Sequence, residues 1–90
     1  MSVKINLHRT HRQYTGGLET VEVEGNTVGE CLNDLVSKYP SLEREIFDKK
    51  KNLSSIMEIY LNGESAYPDE LTKKVKEGDT INLIYFLAGG

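Results

Sequence analysis

The residues whose type and position could carry chemistry stand at the end of the chain, which finishes Leu87-Ala88-Gly89-Gly90. Two glycines directly after an apolar strand neither cap a helix nor form a turn, so they have no local structural duty. Without Cβ atoms they can pass through a narrow channel and present the α-carboxylate of Gly90 to the active site of another protein. Such a carboxylate, with a reference pKa of about 3.3–3.7, is ionised at neutral pH and is a poor electrophile until it is activated. Transfer to the α-phosphate of ATP would make an acyl-adenylate. A sulfur nucleophile would convert that to a C-terminal thiocarboxylate, and a thiol or an amine could capture it instead. The chain has no P-loop and no glycine-rich nucleotide fingerprint, so the ATP would be used by a separate adenylating protein. The expectation is a carrier acted on by enzymes, with no cofactor of its own.

Four residues ahead of the glycines are candidates for docking that carrier on its enzymes. Ile84, Phe86 and Leu87, with Ala88, would form a contiguous apolar patch if exposed, and Phe86 is the better anchor of the set. The alternative is that they complete the core. Other chemistry-bearing residues have simpler readings. Cys31 falls on the same face as Val28 and Leu35 and reads as a small core hydrophobe. A lone cysteine forms no internal disulfide and no cysteine-rich metal site, and it suits a reducing compartment. His8 and His11, beside Arg9 and Arg12 in a strand-to-loop passage, place no two metal ligands on a defined helix face, so no metal site is expected. That cluster, like Lys49 to Lys51, reads as solvated charge, or as a basic lip that meets an acidic partner or a phosphate. Gly63 and Gly78 read as turn residues.

The 90 residues bound the remaining choices. A chain of this length makes one domain, spanning 1–90 with an exposed tail over 86–90, and buries only about 60–65% of the surface its unfolded form exposes. Nearly every patterned apolar residue is then needed for the core, which leaves little room for an internal active site. Eleven basic against fourteen acidic residues give a net charge of −3. That balance opposes the counterion-release binding of a nucleic-acid protein. The longest apolar run, Leu83 to Ala88, is far short of the roughly 18 residues of a membrane span. No secretory layout opens the chain, so a cytoplasmic protein is expected.

The elements that must position the tail follow from periodicity. Val3, Ile5 and Leu7 alternate with Lys4, Asn6 and His8, and Leu18, Val21 and Val23 alternate with glutamates. With Tyr14-Thr15-Gly16-Gly17 as turn material, these predict an N-terminal hairpin. Thr27 and Glu30 form a capping-box pair before Val28, Cys31, Leu32, Leu35, Val36 and Tyr39, which make one helical stripe up to Pro40. Ser41 caps a second, shorter helix carrying Leu42, Ile46 and Phe47. Asp48 to Asn52 is a polar loop. Ile56 to Leu61 is a strand ending at an Asn62-Gly63 turn. Glu77-Gly78-Asp79 turns the chain into a last strand from Thr80 to Leu87, apolar on both faces toward its end and therefore central or docking. The fold class is α+β, a β-grasp or ubiquitin-like roll with a mixed sheet of four to five strands and one main helix packed across it.

In that order the residues resemble a known family over essentially the whole chain. Thr27-Val28-Gly29-Glu30 opens the helix that ends Lys38-Tyr39-Pro40. Ile59-Tyr60-Leu61-Asn62-Gly63-Glu64, Lys76-Glu77-Gly78-Asp79-Thr80-Ile81 and Ala88-Gly89-Gly90 follow. The set is similar to the MoaD/ThiS group of β-grasp sulfur carriers, and Tyr14-Thr15-Gly16-Gly17 is similar to its cysteine-biosynthesis branch. The resemblance implies an E1-like adenylating enzyme of the MoeB/ThiF type. It also implies a PLP-dependent synthase as sulfur acceptor, in a route to cysteine or homocysteine, and in some systems a zinc peptidase that releases the new amino acid from Gly90. Three other readings stay open: the small subunit of molybdopterin synthase, a ubiquitin-like protein modifier, and a β-grasp interaction domain without covalent chemistry.

Overall fold

Alternation sets the first two strands. In the computed structural model, which describes residues 2–85, β1 (Ser2–Asn6) buries Val3 and Ile5, and β2 (Thr20–Glu24) buries Val21 and Val23. The two pair antiparallel from Ser2↔Glu24 to Asn6↔Thr20. Their connection is more built than a turn. A 3-10 helix runs over Arg9–Thr15 and ends at Gly16, whose φ of 70° is the left-handed conformation that glycine adopts without a Cβ penalty. Leu18, expected on the inward face of the second strand, lies before it and is 48% exposed, because the chain is still leaving Gly16 and Gly17 at that point.

Helix α1 (Val28–Lys38) starts as its sequence predicts. The Thr27 hydroxyl accepts from the Glu30 N–H at 3.1 Å, while the Glu30 carboxylate reaches back to the Asn26 N–H at 2.9 Å. Val28, Cys31, Leu32 and Leu35 are fully buried against the sheet, and Val36 and Tyr39 flank them. Beyond Tyr39, Pro40 opens a 3-10 turn (Pro40–Leu42) that runs directly into α2 (Glu43–Ile46). Ser41 therefore lies inside this segment and caps nothing; proline's fixed φ lets it start the turn with no side-chain cap. Leu42, Ile46 and Phe47 are buried as expected. The following polar loop is held by the Asp48 carboxylate, which accepts from the N–H groups of Lys50 and Asn52.

Strand β3 (Met57–Leu61) turns at Asn62-Gly63, with φ of 52° and 87°, into the two-residue β4 (Glu64–Ser65). Ile56, expected in β3, lies just outside it and is 36% exposed. The last described strand, β5 (Thr80–Tyr85), lies parallel to β1 and antiparallel to β3, giving the order β2-β1-β5-β3-β4. The sheet is mixed, and α1 covers one face. This is the expected β-grasp architecture. Helix side chains also close the free edge of β2: the Lys38 ammonium donates to the Glu22 carbonyl at 3.0 Å, and Asp34 accepts from the Glu24 N–H at 2.9 Å. An edge satisfied in this way is a poor template for another strand.

The N-terminal turn of α1 rests on the segment after the 3-10 turn Glu70–Thr72: Val28 N–H donates to the Lys73 carbonyl and Val75 N–H to that of Asn26. Gly29 lets the two approach, since a Cβ there would stand 2.8 Å from the Leu71 carbonyl oxygen. In an open helix Gly→Ala gains up to about 1 kcal/mol. Here the clash is with backbone that cannot rotate away, so Gly29→Ala is expected to cost about 1–3 kcal/mol, read by urea unfolding. A gain in stability would show that the Leu71 segment yields.

Candidate functional site

Everything C-terminal depends on where β5 points. Its inward side chains Ile81 and Leu83 are buried beneath α1, and Tyr85 packs on the edge of the same core. Asn82 and Ile84 face the opposite, uncovered side of the sheet, where Ile84 is 38% exposed opposite Glu58 of β3. The expectation that this strand is central holds. Of the docking candidates, Ile84 is the one the structure places, and it does not complete the core. Phe86, Leu87, Ala88, Gly89 and Gly90 lie outside the described residues.

The start of β5 is fixed by a polar lock. Asp79 accepts from the Asn62 amide at 3.0 Å and the Lys76 N–H at 2.9 Å, and these hydrogen bonds, Asn62's first, hold its carboxyl below the usual range. Asn62 in turn accepts from the Thr80 N–H at 2.9 Å, tying the β3–β4 turn to the first residue of β5. Gly78, at φ 87°, makes the turn the sequence predicts. On the uncovered face a ladder crosses three strands. The Thr20 hydroxyl donates to Asn6 Oδ1 at 2.7 Å, and the Asn6 amide donates to Asn82 Oδ1 at 2.7 Å.

Beneath the end of β5 lies a cluster that pattern reading missed. His11 was expected in a solvated basic group but is only 2% exposed. The 3-10 helix turns it inward, where its ring meets that of Tyr85 edge-on, with centroids 4.8 Å apart. Tyr14 and His8 rings each lie 6.3 Å from it. Its Nε2 is 3.5 Å from Glu45 of α2, and its buried Nδ1 has no hydrogen-bond partner among the described residues. Burial lowers its pKa, and the charge of His8 acts in the same direction, against the attraction of Glu45. The neutral ring is thus the form the fold accommodates. Period-two reading could not find it, because the Arg9–Thr15 segment alternates with no sheet period. Arg9 is exposed and His8 and Arg12 are half-buried, so the predicted cluster divides.

Cys31 is fully buried, and burial, aided by the negative charges of Asp34 and Glu30, pushes its thiol up to about 11. It stays protonated and packs as a core residue, as its position on the stripe implies. Among the described residues no three His, Cys, Asp or Glu gather where a metal could bind, and no helix is long and apolar enough to cross a membrane.

This fold, with its last described strand in the middle of the sheet, can be set beside known proteins. The ThiS family model matches residues 5–90. The chain belongs to the ThiS family. The sulfur carrier protein CysO of Mycobacterium tuberculosis is 27% identical to it over 93 residues, covering 100% of both chains. Small archaeal modifier protein 1 of Haloferax volcanii is 35% identical over 71 residues, 78% of each chain. Among solved structures, the Amycolatopsis orientalis BexX/CysO complex contains a chain 30% identical to this one, with a TM-score of 0.87 and coverage of 98% of this chain and 99% of that one.

The buried histidine gives this ThiS-family chain a pH signature. An unfolded chain binds a proton at His11 below about pH 6.5, whereas the folded chain binds it only at lower pH, so stability falls as pH drops through that interval. Asp79, held below 3.8, acts only in more acid solution. Urea unfolding at pH 7 and pH 5 is expected to show a loss of stability for the natural chain and a smaller loss for His11→Gln. Equal losses would mean that His11 does not titrate differently on folding.

Proposed function

We propose that this protein is a sulfur carrier whose Gly90 carboxylate is adenylated by a separate E1-like enzyme using ATP and then converted to a thiocarboxylate. The single observation that carries the reading is the ThiS-family match through residue 90, where the sequence ends in Gly89-Gly90. In the first step the carboxylate oxygen attacks the α-phosphate and pyrophosphate leaves. In the second a sulfur donor attacks the acyl carbon, AMP leaves, and the sulfur remains on Gly90. This chain supplies the reacting carboxylate and a rigid mount for it; the other catalytic groups belong to its partners. Gly89 lets the terminus enter a narrow site, and Ile84, Phe86, Leu87 and Ala88 form the docking surface ahead of it. The likeness to the sulfur carrier protein CysO, together with the resemblance of Tyr14-Thr15-Gly16-Gly17 to the cysteine-biosynthesis branch, supports sulfur amino acid biosynthesis, cysteine or homocysteine, as the destination, and that resemblance supplies a PLP-dependent synthase as acceptor and a zinc peptidase as the releasing enzyme. The likeness to a chain solved within the BexX/CysO complex favours a protein as the immediate recipient.

A second reading has its own support. The 35% identity to small archaeal modifier protein 1 favours capture of the same adenylate for attachment to protein amines. The two readings share activation and differ in the acceptor, so amide-linked adducts on lysines would select the modifier.

The experiment is reconstitution with an E1-like enzyme, ATP and sulfide, comparing the full chain with one that ends at Gly89. Because a terminal glycine buries little, the shorter chain is expected to fold with unchanged stability and to lose sulfur loading by at least about a hundredfold, since the activated carboxylate is displaced by one residue. Equal loading of both chains would overturn the assignment of Gly90.

A further inference from the structure

We propose that the groove where β1 parts from β5 is a docking slot for an extended acidic segment of a partner protein. Two independent features of the fold meet there. The first is backbone. β1 and β5 pair from Lys4↔Thr80 only as far as Asn6↔Asn82, whereas β5 continues to Tyr85 and stays paired with β3 as far as Met57↔Tyr85. The Lys4 N–H donates to the Asp79 carbonyl, a register that turns the backbone groups of odd-numbered β5 residues toward β1. Past Asn6 the chain keeps its register with β2 for one more residue, Leu7 N–H donating to the Glu19 carbonyl, and then winds from His8 into the Arg9–Thr15 turn instead of continuing along β5. The Leu83 carbonyl and the Tyr85 N–H therefore face a gap with no strand opposite among the described residues, which is the kind of edge an extended peptide adds to.

The second feature is charge. The gap is an open groove of about 570 Å³ with His8, Arg9 and Arg12 on one wall and Asn82, Leu83 and Ile84 on the other, and among the described residues no carboxylate lines it. Arg12 is steadied by its Nε, which donates to the Leu7 carbonyl at 3.3 Å, and by Glu19 at 3.6 Å. Arg9 has no carboxylate within 4.0 Å among the described residues. On a chain of net charge −3 this is a local positive wall facing a free strand edge. The charge selects an acidic occupant, the edge selects a polypeptide over a free anion, and half-exposed Ile84 accepts an aliphatic side chain at alternate positions. A nucleic acid would meet the unfavourable net charge and find no use for the strand edge. The slot requires no chemistry at Gly90.

Titration of the isotope-labelled full chain with a capped peptide alternating aspartate and valine tests this, followed by NMR. The expected result is saturable shifts of the amides of Leu83, Ile84 and Tyr85 and of those from His8 to Arg12. Arg9→Glu is expected to weaken binding about tenfold. Arg12→Gln, which keeps a donor for the Leu7 carbonyl, is expected to weaken it severalfold with the fold intact, and Lys49→Glu, outside the groove, to leave it unchanged. Absence of binding, shifts centred elsewhere, undiminished affinity of Arg9→Glu, or equal response to a lysine–valine peptide would overturn the proposal. So would inorganic phosphate moving the same amides at the same concentration, which would make the groove a simple anion site.

Discussion

The constraint on which the rest of this structure depends is that the last described strand is also the central one. β5 is flanked by parallel β1 and antiparallel β3, and its inward residues Ile81 and Leu83 lie beneath α1. Burying each of those side chains contributes about 1.5–3 kcal/mol; β1 and β3 both pair with the start of β5, and β3 alone stays paired as far as Tyr85. A terminal group mounted on such a strand has a defined origin. The Asn62–Asp79–Thr80 lock at one end and the edge-on contact of His11 with Tyr85 at the other hold the strand along its length. The Thr20–Asn6–Asn82 ladder joins β5 to the N-terminal strands on the uncovered face.

Most of this architecture was legible in the sequence because sheet and helix periods separate cleanly. Val3 and Ile5 against Lys4, the Thr27–Glu30 cap, the Asn62-Gly63 turn and the two-faced apolar run after Thr80 each obey a local rule that the fold also obeys. The departures cluster where local rules compete. Pro40 starts its helical turn without needing a cap, which displaced Ser41 from the role its residue type suggests. Leu18 and Ile56 extend the apolar patterns of β2 and β3 ahead of the points where the chain enters the sheet, so both are exposed. His11 was illegible for a different reason: a 3-10 segment has neither the period of a strand nor that of an α-helix, and only the packing of α2 and β5 around it reveals its burial.

For the candidate site the balance is reversed. Gly89 and Gly90 were visible from residue type alone, since nothing local employs them, and the ThiS-family match gives that visibility a context. The described residues contribute the mount, the exposed Ile84 beside it, and a basic groove opening along the same strand. Cys31, the only cysteine of the sequence, is buried with its thiol pushed up to about 11. The proposed division of labour follows: the fold presents a carboxylate, and the reactions are carried out by proteins that dock on the strand presenting it.

The measurement that tests this most directly is intact mass spectrometry of the chain after incubation with ATP, a sulfur source and extract of its own organism, with fragmentation to locate any change. The account predicts a mass gain equal to one oxygen replaced by one sulfur, placed on Gly90. An unmodified Gly90, under conditions in which a control carrier is loaded, would contradict it.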